Sequence, residues 1–334
     1  MVSAAGHSQT HSPAGLNPGV QYEFISHWSK DKLNQILQKD FPAFSGVPVQ
    51  YGQARNGVKL YRVTYHSVIP ERANKSIQTT GLVAIPDQAD NPPQRSFPLL
   101  SYQHGTVYGK NEVPSTPDES PETQLMLAQF GGQGYVVVGA DYFGMGHNTP
   151  EPESYMVKAS HQQAAYDMLL ASRSVLDNLQ VRTHQLFLSG WSQGGFVTMA
   201  FLEKLEKENI EVSAAATASA PLDLSALLQG FLNHPRAIDA SWINSVVILS
   251  AFSFENYYNA PGLARSVIND DYYEPSKKAY LREKFNPQDI PTDLRKLVRP
   301  EYFNYLFFAE SQYGRLLSDS TAYRWMYRTP VRNY

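Results

Sequence analysis

The sequence predicts an α/β fold: a mostly parallel sheet with helices on both faces. Three observations carry that expectation. Strand-like and helix-like segments alternate from Phe97 to Ala220, at lengths that suit βαβ units. The run Tyr135-Val-Val-Val-Gly-Ala-Asp141 is apolar throughout, as a strand buried on both faces must be. A glycine-flanked serine stands at a strand-to-helix junction, in Gly190-Trp191-Ser192-Gln193-Gly194.

Taken in order, residues 1–20 are rich in Ser, Gly, Pro, His and Ala and read as a disordered arm. His7 and His11 have a spacing that could clip a metal, though a flexible polar tail is the simpler reading. Val58–Val68 and Ile77–Ile85 are β-rich and flank Pro70-Glu-Arg-Ala-Asn74, a hairpin-like pair. Phe97–Tyr102 reads as a short buried strand, and Pro121–Phe130 as a helix ended by Gly131-Gly132. In His161–Leu179 the residues Ala165, Met168, Leu169, Ser172, Val175, Leu176 and Leu179 form one stripe at a 3.6-residue period. Gln185–Ser189 is the next strand, Gln193–Glu208 a helix, and Val212–Ala220 a small-residue strand, the sixth. From Leu224 to Arg328 strands disappear and helical patterns rich in Tyr, Phe and Leu take over. Thr329–Tyr334 begins what reads as another buried core strand. The expected organisation is therefore an arm (1–20), a core (21–223), a helical insertion (224–328) and the start of a further strand (329–334).

The chain's 334 residues suffice for one large domain with an insertion. The formal charge of −3 gives no reason to expect nucleic acid or an anionic membrane as partner. No apolar run approaches a membrane span. The absence of cysteine excludes disulfides, thiolate metal sites and a cysteine nucleophile. No P-loop, H-E-x-x-H or strand-linked G-x-G-x-x-G is present, so neither metal nor cofactor is expected. Val2-Ser-Ala-Ala-Gly6 looks like the end of a trimmed signal peptide, although no apolar segment precedes it. A secreted or periplasmic protein is expected ahead of a cytoplasmic one.

Composition alone yields about 0.1 chance matches to G-x-S-x-G in such a length, so the motif gains its weight from context. It follows the strand Gln185–Ser189 and opens the helix at Phe196, the setting in which a sharp elbow lifts a nucleophilic hydroxyl above a sheet. Glycines at 190 and 194 suit a turn too tight for side chains. The helix start at Gln193 aims unpaired N–H groups at the serine. Upstream, Gln103-His104-Gly105-Thr106 follows the strand ending at Tyr102. The amides of Thr106 and Gln193 are the expected oxyanion-hole donors. His104 precedes the serine and reads as a brace for the loop. Asp141 reads as orienting the loop below the site.

These segments together, His104-Gly105-Thr106, Gly134–Tyr142 with Gly144-x-Gly146, and Gly190–Gly195, resemble the α/β-hydrolase superfamily. More narrowly they are similar to bacterial serine esterases of the secretory-lipase branch, over about residues 55–334. The resemblance implies a helical cap after the sixth strand, Ser192 as nucleophile, and an acid and a histidine following it in chain order. The acid would come just after the seventh strand and the histidine after the eighth, hence beyond Tyr334. That makes the sequence read as a truncated frame, a processed chain, or one part of a split protein whose other chain supplies the rest. Asp223 and His234 are the in-chain substitutes; Asp223 also suits a helix N-cap.

The insertion carries Phe252–Tyr258, Tyr272-Tyr273 and Tyr302–Phe308. Most of these should pack the insertion onto the core, and some should line an apolar acyl or aryl pocket. The expected activity is hydrolysis of small or lipid-like carboxylic esters with a hydrophobic part. A serine peptidase is the alternative, with Asp270-Asp271 or Glu310 holding a substrate amine. A non-catalytic binding module that keeps the fold is the third reading.

Overall fold

The structure, a computed structural model, describes residues 16–87, 96–147, 149–236 and 238–334. His7, His11 and the arm up to residue 15 lie outside the described residues. An eight-stranded sheet runs in the order β1-β2-β3-β5-β4-β6-β7-β8. Its strands are β1 (Gln21–Trp28), β2 (Gly57–Ile69), β3 (Lys75–Asp87), β4 (Phe97–Gln103), β5 (Val136–Ala140), β6 (Thr183–Trp191), β7 (Ala214–Ala218) and β8 (Val331–Asn333). The first three are antiparallel and β3 joins β5 antiparallel; every pairing from β5 through β4, β6 and β7 to β8 is parallel.

The hairpin β2–β3 pairs over its whole length around a turn with Ala73 and Asn74 at positive φ. Strand β1 is absent from the sequence expectation. Its residues QYEFISHW mix charge and aromatics on an edge that is mostly half-exposed, so no clean alternation marks it. Because of β1, the sixth expected strand is β7.

Two helical layers explain the unbroken apolar strands. Val136 and Val138 face one core with α4 (Lys158–Asn178) and α5 (Gln193–Lys207). Val137 faces the other, with α1 (Lys30–Gln35), the short α2 (Phe41–Ser45) nearby and α3 (Pro121–Gln129). Successive side chains of a strand point to opposite faces, so a sheet covered twice needs apolar residues at every position. Small residues just after β7 let α5 approach closely: a Cβ on Gly195 would lie 2.6 Å from the Ala220 Cβ.

Between β7 and β8 the chain forms α6 (Leu224–Asn233), α7 (Ile243–Tyr257), α8 (Leu263–Val267), α9 (Asp270–Tyr280), α10 (Leu294–Leu297), α11 (Tyr305–Glu310) and α12 (Gln312–Asp319). Their apolar faces join the core shared by α4 and α5. Strand β8 is present, but Arg332 and Asn333 are exposed, which corrects the expectation of a buried strand. Among the described residues it pairs only with β7, and an edge strand leaves alternate side chains open to water. No described helix is long and apolar enough to cross a membrane.

Candidate active site

The carboxyl ends of β4, β5, β6 and β7 meet where ligands bind in sheets of this kind. There β6 ends at Trp191 and α5 begins at Gln193, leaving Ser192 alone in the turn with φ 52° and ψ −125°. A side chain held in such a sparsely populated region costs about 1–3 kcal/mol and persists only where its surroundings over-determine it. Here the Ser192 N–H donates to the Ala218 carbonyl (2.8 Å), and its own carbonyl accepts from Gly195 (3.0 Å) and Phe196 (3.2 Å). Tyr142, Met156 and Ser219 also have positive φ. Ser192 is half-buried, and Trp191 beside it is 50 % exposed.

The flanking glycines are sterically required. A Cβ on Gly190 would stand 2.3 Å from the Gly194 carbonyl oxygen, and one on Gly194 would stand 2.0 Å from that of Gln103. The turn is therefore clamped directly against the loop that follows β4. In that loop the Gly105 N–H donates to both carboxylate oxygens of Glu122, each at 3.0 Å. With that donor taken, the next amide is that of Thr106, which makes no backbone hydrogen bond among the described residues; nor does the Gln193 amide. The Thr106 hydroxyl contacts the Tyr155 hydroxyl at 3.0 Å.

His104 is buried with its ring nitrogens facing the carbonyls of Gly105 (2.8 Å) and Asp141 (3.2 Å). It stacks on Tyr142 at 4.0 Å, whose hydroxyl donates to the His104 carbonyl. Asp141 is fully buried, accepting the Ser115 N–H (2.8 Å) and the Thr80 hydroxyl, so it fastens the loop below the site and touches no imidazole nitrogen with its carboxylate. Gly146, at φ 81°, leaves room for that carboxylate; a Cβ there would lie 2.6 Å from Asp141 Oδ2.

His161, in the first turn of α4, has no counterpart in the sequence expectations. Its Nε2 accepts the Met156 N–H (3.1 Å) and lies 3.5 Å from the side-chain Nε2 of Gln193, so its proton sits on Nδ1, which finds no partner among the described residues. Burial pulls the His104 imidazole down to about 4 and that of His161 to about 3, the latter aided by the nearby His104. Both are neutral in the native protein. The unfolded imidazoles titrate near 6.5, so as pH falls below 6.5 the unfolded chain takes up protons that the native chain refuses. Native stability is complete above pH 6.5 and is lost as pH falls toward the folded values. The expected slope is up to about 1.4 kcal/mol per pH unit for each imidazole. Urea unfolding at pH 7.5 and pH 5.0 measures it; His161→Gln should flatten the dependence, and parallel curves for the two proteins would refute this account.

The remaining sequence candidates separate. Asp223 caps α6 through the Ala226 N–H (2.9 Å) and also accepts from the Tyr323 hydroxyl. His234 is the C-cap of the same ten-residue helix. At 1.5 Å per residue the two stand about 16 Å apart, too far for an acid–histidine pair. No histidine among the described residues hydrogen-bonds to Ser192 Oγ. Asp270 pairs with Arg265 and Arg299 on the surface, and Asp271 and Glu310 are exposed. Of the insertion's aromatics, Phe252, Phe254, Tyr257, Tyr302 and Phe308 are buried in the core, so the packing role takes them. A cavity of about 420 Å³ is lined instead by Tyr108, Trp242, Ile248, Leu249, Phe285 and Ile290, among others. No cluster of three or more metal-ligating side chains occurs among the described residues.

Comparison with known proteins agrees with this architecture. Residues 121–221, from α3 through β7, match the Prolyl oligopeptidase family. No curated protein compared with the chain matches it. Among solved structures, a proposed hydrolase from Legionella pneumophila superposes with a TM-score of 0.78 at 23 % identity, over 93 % of this chain and 81 % of that one. The rice cell wall degrading esterase LipA from Xanthomonas oryzae gives 0.77 at 22 %, over 93 % and 81 %. Candida antarctica lipase A gives 0.56 at 15 %, over 89 % and 64 %. Element order, elbow and neighbours agree: the chain has the α/β-hydrolase fold.

Proposed function

We propose that this protein is a serine hydrolase of carboxylic esters with a hydrophobic acyl or aryl part, acting through an acyl-enzyme on Ser192. The observation that carries the reading is the strained, half-exposed Ser192 on its strand-to-helix turn; the amides of Gln193 and Thr106, which have no backbone acceptor among the described residues, are the donors proposed for its oxyanion hole. Attack by Ser192 Oγ on an ester carbonyl moves negative charge onto the carbonyl oxygen. Donors fixed in advance stabilise that charge without reorganising, and each is worth about 3–4 kcal/mol of barrier. Release of the alcohol leaves an acyl group on Ser192, and water then frees the acid. A general base must accept the serine proton as the bond to the carbonyl carbon forms. The cavity lined by Tyr108, Trp242, Ile248, Leu249 and Phe285 supports an apolar substrate, since its wall is largely apolar. The esterase and lipase neighbours support the same class.

The match of residues 121–221 to the Prolyl oligopeptidase family favours a peptidase as second reading. Fluorophosphonate labelling, with turnover of p-nitrophenyl esters set against aminoacyl anilides, tests both in the native protein. Labelling at Ser192 and ester turnover, both abolished in Ser192→Ala, are expected. Preference for the anilides would favour the peptidase. An unlabelled Ser192, or full turnover in Ser192→Ala, would leave a binding module.

A further inference from the structure

We propose that Glu122 is a positioning residue that holds the loop after β4 so that the Thr106 amide faces Ser192. The inference rests on the serine-hydrolase reading and adds to it a residue that carries no part of the bond-making. Glu122 stands in the first turn of α3, behind the N-cap Ser120. Both its oxygens take the Gly105 N–H, and a Cβ on Gly105 would meet Glu122 Oε2 and the Trp191 indole nitrogen, each at 3.2 Å. One carboxylate therefore touches the loop preceding Thr106 and lies against the residue preceding Ser192. Turning the Gly105 peptide would turn the next amide with it, because consecutive planar peptides share a Cα.

The surroundings argue that this carboxylate is not there for stability. It lines a cavity of about 670 Å³ whose wall includes Phe41, Phe44, Val47, Tyr51, Leu125 and Trp191. Burial there pushes the Glu122 carboxyl up to about 7, offset in part by the Tyr102 hydroxyl, the Gly105 amide and the Trp191 indole. Tyr102 from β4 and Tyr142 beyond β5 are the titratable groups that feel it, and neither brings a positive charge. The folded value lies above the unfolded 4.5, so between pH 4.5 and 7 the native state binds the extra proton. Ionisation therefore weakens the fold as pH rises through that window. A group whose ionised form costs stability, yet whose two oxygens both face the loop amide, fits an orienting role.

The test uses Glu122→Gln, which keeps shape and one acceptor, and Glu122→Leu, which keeps neither. The expected result is a kcat lowered about tenfold in Glu122→Gln and about a hundredfold in Glu122→Leu, the scale for a misplaced catalytic group, with KM within twofold. Independently of turnover, Trp191 emission, isolated by subtracting Trp191→Phe spectra, should titrate near pH 7. That step should persist in Ser192→Ala and vanish in Glu122→Gln. An unchanged kcat in both Glu122 variants, or a step surviving in Glu122→Gln, overturns the positioning role. Turnover surviving in Ser192→Ala overturns the hydrolase reading instead, so the two failures are distinguishable.

Discussion

Replacing Gly194 by alanine is expected to destabilise the protein by about 3 kcal/mol or more and to abolish labelling of Ser192. The added methyl would sit 2.0 Å from the Gln103 carbonyl oxygen and 2.8 Å from that of His104, both backbone atoms that no rotamer change can move. Relief requires α5 to withdraw from β4. That withdrawal would pull the Gln193 amide and Ser192 away from Thr106, so folding and reactivity fall together. Gly230, within α6, is the control: a Cβ there meets nothing within 4 Å. Alanine at 230 should be neutral or stabilise the helix by about 1 kcal/mol. Denaturant unfolding of the two variants, with fluorophosphonate labelling, measures both effects. Equal stability of the two would show that the elbow is not clamped as described.

Removing Arg282 should cost about 3–5 kcal/mol, the range for breaking one half of a buried ion pair. Arg282 follows α9 with φ 58° and reaches Glu153 Oε2 at 2.6 Å, the two side chains being 11 % and 7 % exposed. The same guanidinium donates to the Val107 carbonyl (3.0 Å), next to Thr106. The Glu153 carbonyl in turn accepts from Ser253 of α7 and Tyr280 of α9. In Arg282→Ala the Glu153 carboxyl, already pushed up by burial, loses the charge that holds it down and must protonate or draw in water. The double change Arg282→Met with Glu153→Gln should recover most of the loss, because no buried charge is then stranded. Urea unfolding at pH 7 of the wild type, the single and the double variant tests this. A single-variant loss below about 1 kcal/mol would count the pair among ordinary surface bridges.

How far the sequence could be read follows from the range of the interactions involved. Strands and helices of the core were legible because burial on both faces leaves a local mark, as in Tyr135–Asp141 and the α4 stripe. The elbow was legible for a similar reason: its steric demand falls on residues two positions either side of Ser192, and glycine records that demand in the chain itself. Strand β1 left no such mark, since an edge strand half-open to water tolerates Glu23, Ser26 and His27 among its apolar residues. Glu122 and His161 were also silent. A carboxylate in the first turn of a helix is ordinary capping chemistry, and an isolated histidine in a helix carries no spacing signal.

By itself, then, the sequence determined the sheet-and-helix alternation, the parallel core and the serine on its bend, all consequences of burial and backbone sterics over a few residues. Only the tertiary structure decided that Glu122 takes the Gly105 amide, that two neutral imidazoles flank Tyr142, that Arg282 ties the insertion to the loop, and that α6 separates Asp223 from His234. Those outcomes depend on which distant segments share a place in space. Hydrogen bonds and desolvated charges act over a few ångströms of separation, whatever the number of residues between the partners.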